Sequence, residues 1–196
     1  MALLGLGMAT GLVAGLLGIG GGMLMVPFLT ILFTQFQFPD AYILHMAIER
    51  GAVILAVCTG FQIIGNRFFA SGQEVEGLGL LDVTTVPGDK RLVGDIKTTS
   101  NVLGFELTGF ENHTGRTILG PTAQAFGKVI KGHGNGDSKY DGAVNGNIFG
   151  TYMHGPILAR NPEFADLLLT RATGRKYAQI TDPLALKYAT WRRKVI

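Results

Sequence analysis

At 196 residues, the chain has room for one ordinary domain and an appendage, and its net charge of +3 is too small to argue for a nucleic-acid partner. A single cysteine, Cys58, excludes an internal disulfide and a multi-cysteine metal site, and four histidines without ligand spacing or grouped carboxylates name no metal. The 29 glycines are dense in the first 22 residues and again from Gly132 to Gly146, so the composition points to two unlike parts.

Residues 1–33 are nearly all apolar or glycine, and no charged side chain precedes Asp40, which is the composition of a membrane segment. The stretch is too long for a signal peptide and lacks its basic start. The run Gly18-Ile-Gly-Gly-Gly22 would break a straight helix, predicting two helical pieces, and no Gly-Lys-Ser/Thr follows to make it a phosphate loop.

From Gly51 an apolar, β-branched run passes through a small-residue turn at Cys58-Thr59-Gly60 into helical spacing, the pattern of a nucleophile elbow. A helix is expected over 61–69, then a turn at Ser71-Gly72. Strands are expected over 78–85, 91–98 and 105–110, with a turn over 86–89 and a polar loop over 111–115. Residues 126–131 read as a strand, 132–137 as glycine loop, and 148–153 as the strand that delivers His154. Asn161 is placed to cap a helix with Pro162 at its first position, running to about residue 172, and Asp182-Pro183 to start another ending near residue 193. The basic cluster Trp191-Arg-Arg-Lys194 reads as a solvated helix end, with membrane-surface contact as the alternative.

A lone cysteine after an apolar run is ordinarily a small core residue. His154, closing a second strand, changes the balance, because a Cys and a His at two strand ends of one sheet can meet as nucleophile and general base. By themselves, Arg91 is an ordinary surface arginine beside a turn and Gln62 an ordinary helix glutamine.

Five blocks in order carry a resemblance: Ala-Val-Cys58-Thr-Gly-Phe-Gln62-Ile-Ile-Gly, Glu76-Gly-Leu-Gly-Leu-Leu-Asp82, Arg91-Leu-Val-Gly-Asp95-Ile, Gly109-Phe-Glu-Asn-His113-Thr-Gly-Arg-Thr117 and Gly150-Thr-Tyr-Met-His154-Gly-Pro. From about Glu49 onward the chain resembles the CobB/CobQ-like class I glutamine amidotransferases, most closely those that act as glutaminase subunits in lipid II amidation. The resemblance implies an α/β, flavodoxin-like domain over 49–196 that lacks its N-terminal strands. It implies hydrolysis of glutamine by a Cys58/His154 pair, with the N–H groups of Thr59 and Gly60 as oxyanion site and no cofactor. Arg91 would orient glutamine through its α-carboxylate, Gln62 would face the substrate, and His113 would stand behind the substrate or at its rim, or replace His154 as base. Thr59 departs from the glycine usual in the family, and Pro156 stands where a triad carboxylate would be, although this class works with a Cys/His pair. The implied partner is a Mur-ligase-like synthase that uses the ammonia to amidate lipid II.

The first 48 residues resemble instead the opening of the TauE/SafE family of multi-pass exporters, on Gly11-Leu-Val-Ala-Gly-Leu-Leu-Gly-Ile-Gly-Gly-Gly-Met-Leu-Met-Val-Pro27 and Ala41-Tyr-Ile-Leu-His-Met-Ala-Ile48. That resemblance implies membrane contact through residues 1–36 and a cytoplasmic catalytic domain tethered to the inner face of the cell membrane. The switch between the two parts is expected at Ile48/Glu49. Two other readings stay open at this point, a catalytically inactive membrane-tethered fusion or fragment and a transporter fragment.

Overall fold

The structure, a computed structural model, describes residues 40–100, 102–176 and 182–196. The membrane segment expected over 1–36, and the transporter-like stretch as far as residue 39, lie outside the described residues. Among the described residues no helix is long and apolar enough to cross a membrane. The chain divides into two units, Met1–Ala47 and Ile48–Ile196. Asp40–Glu49 form helix α1.

The second unit continues with β1 (Ile54–Val57), α2 (Thr59–Ile63), β2 (Arg67–Ala70), β3 (Gln73–Glu76), β4 (Val83–Val86), β5 (Leu92–Ser100), β6 (Phe105–His113) and β7 (Arg116–Leu119). After these come β8 (Gly127–Lys131), β9 (Tyr140–Asp141), β10 (Ala143–Asn145), β11 (Ile148–Thr151), α3 (Ile157–Arg160), α4 (Pro162–Thr173) and α5 (Pro183–Val195). The described strands form three sheets, ordered β1-β11-β10, β3-β2-β4-β7 and β6-β5-β8-β9.

The Ile-Leu-Ala-Val run of β1 pairs in parallel with β11, from Ile54 opposite Ile148 to Val57 opposite Thr151. Parallel pairing sets both C-terminal strand ends at one edge, which is where Cys58 and the segment leading to His154 emerge. Apart from a single parallel bridge between Arg67 and Thr84, the other described pairings are antiparallel. The sheets are therefore more mixed than the flavodoxin-like expectation of parallel strands.

The helix expected over 61–69 ends at Ile63 instead. Just past its Ile64 C-cap, Gly65 packs against β4, where a Cβ would meet Val83 at 2.7 Å, so glycine lets the chain pass that close. The alternating Arg-Phe-Phe-Ala of β2 then finds β3 across a two-residue turn, Ser71-Gly72, whose φ values of 52° and 79° suit a type I′ hairpin.

The polar loop expected over 111–115 is for its first three residues the end of β6, which stays paired with β5 as far as His113 opposite Leu92. Strand alternation sends Glu111 and His113 to one buried face, and their partners there outweigh the local turn propensity. The strands β3, β7, β9 and β10 and the short helix α3 have no counterpart in the sequence reading.

The core is an aromatic trio, Phe126, Phe149 and Phe164, with ring centroids 5.3 to 5.8 Å apart, surrounded by Ile96, Leu107, Val144, Met153 and Ile157. Asn161 precedes α4 as expected but does not cap it with its side chain. Its carboxamide instead accepts from the Thr108 amide and donates to the Thr108 carbonyl, each at 2.9 Å, and so ties the helix entry to β6. Asp182 does cap α5, accepting from the Leu184 amide at 2.9 Å.

Strand β11 runs close to its neighbours. A Cβ on Gly150 would run into the ring of the buried Phe61, and one on Gly109 of β6 would lie 2.7 Å from the Met153 Cβ. Replacing Gly150 by alanine is expected to destabilise the fold by about 1–3 kcal/mol through overpacking, read as a lower urea midpoint with an unchanged slope.

Candidate active site

Cys58 sits between the end of β1 and the start of α2 at φ 56°, ψ −114°, a conformation that side-chain-bearing residues rarely adopt and that costs on the order of 1–3 kcal/mol. Its amide donates to the Thr151 carbonyl at 2.9 Å, and its carbonyl accepts from the Gln62 amide at 3.2 Å. The residue is thus held from β11 on one side and from α2 on the other. The amides of Thr59 and Gly60 open α2 and have no acceptor within their own helix.

His154 follows β11 and is fixed by a two-way bridge to β6, its amide donating to the Phe110 carbonyl at 2.7 Å and the Phe110 amide donating back at 3.2 Å. Its Nε2 is buried without a hydrogen-bond partner. Burial, and secondarily the neighbourhood of His113, hold the imidazole below its usual value, so it is neutral at physiological pH and able to accept a proton.

Cys58 opens onto a cavity of about 520 Å³ whose wall also includes Thr59, Gln62, Arg91, Asn112 and His113. Five of the seven residues singled out in the sequence are therefore brought together at one cavity. The wall takes in neither Gly60 nor His154. Arg91 is exposed and donates through Nε to Asn112 Oδ1 at 2.6 Å, which leaves its terminal amino groups without an acceptor among the described residues. Such a fork suits a carboxylate.

Gln62 Nε2 donates to the Tyr152 hydroxyl at 3.1 Å, and that hydroxyl bonds Thr117 Oγ1 at 2.7 Å, which in turn bonds Thr85 Oγ1 at 2.8 Å. The line joins α2, β4, β7 and the segment after β11. Tyr152 is fully buried, and its ring stacks on His113 at 3.7 Å. Gly115 packs closely here: a Cβ would lie 2.7 Å from Gln62 Nε2 and 3.2 Å from the Tyr152 hydroxyl, so a side chain would displace Gln62.

His113 is itself buried. Its Nδ1 donates to the Gly115 carbonyl at 3.0 Å, and its Nε2 stands 3.8 Å from Glu111 Oε2. Glu111 also accepts from His133 Nδ1 at 2.8 Å and from the amides of His133 and Gly134 at 2.9 Å each. Burial raises the Glu111 carboxyl, but the two histidine side chains and the two amides outweigh it, and the net result lies below the usual carboxylate value. His133, in the glycine loop, keeps 43% of its side chain exposed and is tied to this carboxylate through Nδ1.

Among the residues of this site that were not read from the sequence are Tyr152, Glu111, His133 and Asp141. Asp141 is completely buried and accepts from Thr151 Oγ1 and from the Tyr152 amide. Burial is the main cause that pushes its carboxyl up to about 6, the two hydrogen bonds only partly opposing it. The sequence signal for Tyr152 was its place two residues before His154. Asp141, in a turn-rich stretch, offered none. Among the described residues no group of three potential ligands could hold a metal.

The family model for the CobB/CobQ-like glutamine amidotransferase domain matches residues 40–162. The chain belongs to that family. The match begins at residue 40, ahead of the switch expected at Ile48/Glu49, and the comparisons do not support the transporter-like reading of the first 48 residues. The GatD subunit of lipid II isoglutaminyl synthase (glutamine-hydrolyzing) from Streptococcus pneumoniae R6 is 42% identical over 135 residues, covering 67% of this chain and 52% of that protein. The Staphylococcus aureus N315 subunit of the same name is 44% identical over 135 residues, covering 68% and 54%. A probable cobyric acid synthase of Methanosphaera stadtmanae is 41% identical over 123 residues, covering 55% of this chain and 24% of that protein. The chain spans about half the length of the two GatD subunits. A crystal structure of a glutamine amidotransferase superposes with a TM-score of 0.50 at 12% identity, covering 69% of each chain, a likeness of fold.

Because Asp141 holds its proton more tightly folded than unfolded, the fold should lose stability as pH rises from about 4 to about 6, and the deficit should persist above that. Asp141→Asn removes this titration. The wild type is expected to lose about 3 kcal/mol relative to the variant between pH 4 and pH 7, measured by urea denaturation at each pH.

Proposed function

We propose that the chain is a glutaminase that releases ammonia from the side-chain amide of glutamine. His154 takes the thiol proton of Cys58, and the sulfur attacks the carboxamide carbon. The developing oxyanion lies against the amides of Thr59 and Gly60. As the C–N bond breaks, the imidazolium returns its proton to the nitrogen, which leaves as ammonia. Water then gives a proton to His154 and attacks the thioester, and the C–S bond breaks to yield glutamate and, once the proton passes back, the thiol. Arg91 binds the α-carboxylate of glutamine, and Gln62 and His113 shape the wall around its side chain.

The observation that carries this reading is the strained backbone of Cys58 at the mouth of the cavity, at the shared edge of two parallel strands whose other member leads to His154. The lowered imidazole supports His154 over His113 as base, since His113 donates its Nδ1 proton to Gly115 and faces Glu111 with Nε2. We further infer that the ammonia serves a synthase acting on lipid II, which rests on the names of the two bacterial subunits, and that this synthase is Mur-ligase-like, which rests on the family resemblance.

Glutamate release from glutamine tests the reading. Cys58→Ala and His154→Ala should each lower kcat by roughly a thousandfold or more, and equal wild-type and Cys58→Ala rates would reject it. The acid limb of kcat/KM should fall below pH 6.5, because its base is held below that value. Arg91→Lys should raise the KM for glutamine about tenfold with a smaller change in kcat, as a bidentate fork becomes a point charge. Among inactive variants, Cys58→Gly should be about 1 kcal/mol more stable than Cys58→Ala, since glycine relieves the positive-φ strain.

A further inference from the structure

Helix α5 carries two faces of opposite character. On one, Ala189 is buried at 2% exposure, and Arg193 forms a two-point ion pair with Glu163 of α4 at 2.8 and 3.0 Å while its carbonyl accepts from Lys97 of β5. On the other, Leu184, Tyr188, Trp191 and Val195 are 58%, 51%, 56% and 53% exposed. Their spacing of four, three and four residues puts them in one stripe along the helix, opposite Ala189 and Arg193. A helix of this length that buried the stripe within its own fold would hide these four side chains, and this one does not.

The rims of the stripe decide what covers it. Lys187 and Lys194 lie along one side, one helical repeat of seven apart and both exposed, and Arg192 lies along the other. No acidic residue occurs from Pro183 to Ile196. A second copy of this helix would set basic rim against basic rim. A protein helix would have to carry acidic residues on both sides of an apolar seam. A lipid surface with anionic headgroups meets both rims at once, and its interfacial zone is where tryptophan and tyrosine side chains with exposed polar tips are favoured.

We propose that α5 is a membrane-surface helix, which lies in the plane of an anionic bilayer with Leu184, Tyr188, Trp191 and Val195 entering the acyl boundary and Lys187, Arg192 and Lys194 at the headgroups. The chain does not need to span a bilayer for this contact, and the inference is independent of the chemistry proposed for the cavity.

Trp191 is the only tryptophan in the chain, so its fluorescence reports the stripe directly, whatever the apolar first 39 residues do. The full chain is titrated with vesicles of phosphatidylglycerol mixed with phosphatidylcholine, and with phosphatidylcholine alone. The expected result is a blue shift of Trp191 emission and quenching by brominated acyl chains with the anionic vesicles only. The double substitution Lys187→Ser, Lys194→Ser should weaken that response by about 25-fold at low salt, from roughly fivefold per lost charge. Leu184→Ser with Val195→Ser should weaken it as well. These positions are exposed, and unchanged circular dichroism and thermal midpoint confirm that the variants fold. Emission that does not move with anionic vesicles, or that moves equally in the Lys variant, overturns the proposal. So does a concentration-dependent dimer in light scattering that the same substitutions dissolve, which would assign the stripe to a second copy.

Discussion

The site rests on the parallel pairing of β1 with β11. It is short, from Ile54 opposite Ile148 to Val57 opposite Thr151, and it continues by one more bond, from the Cys58 amide to the Thr151 carbonyl. That bond holds the strained turn from behind. Without it the φ 56° conformation of Cys58 would relax toward ordinary strand geometry, because nothing in the side chain favours it. The approach depends equally on what is missing: Gly150 lets β11 lie against the Phe61 ring, and Gly109 lets β6 lie against Met153. A tight strand bundle thus uses backbone hydrogen bonds to hold Cys58 in its strained turn.

Behind the cavity lies a polar layer whose two carboxylates behave oppositely for one reason. Glu111 gathers three hydrogen bonds from His133 and Gly134 and stands beside His113, enough to keep its charge favourable despite burial. Asp141 receives only two donors, from Thr151 and Tyr152, and feels the Glu111 charge as well, so burial prevails and its proton is held to about 6. Tyr152 joins the layers, stacking on His113 while its hydroxyl meets Gln62 and Thr117. The wall of the cavity is therefore braced by residues that never reach its surface. A buried polar network of this kind favours a single arrangement, because each unpaired member is costly.

Helices α4 and α5 show how the same unit manages its outer side. Phe164 of α4 joins the aromatic core, and Glu163 beside it receives the guanidinium of Arg193, so α5 is anchored by charge and a small buried alanine more than by large apolar side chains. Its large apolar residues are left for the other face.

By itself the sequence determined what is local and chemical: a cysteine at a strand-to-helix turn, a histidine closing a later strand, where α4 and α5 start and the Asp182 cap of α5, and the family blocks that name Arg91, Gln62 and His113. These are legible because turns, caps and periodicity depend on a few adjacent residues. Only the tertiary structure decided that β2 is a strand where helical spacing was read, that Glu111 and His113 extend β6 into what looked like a loop, and that His133 reaches a carboxylate. It also drew in Tyr152 and Asp141 and turned Asn161 away from its helix toward Thr108. Those outcomes follow from partners outside the local window, from the β3 hairpin partner of β2 to Thr108, 53 residues before Asn161, and a polar side chain that is to be buried must take the partner the fold brings to it, which no local pattern records.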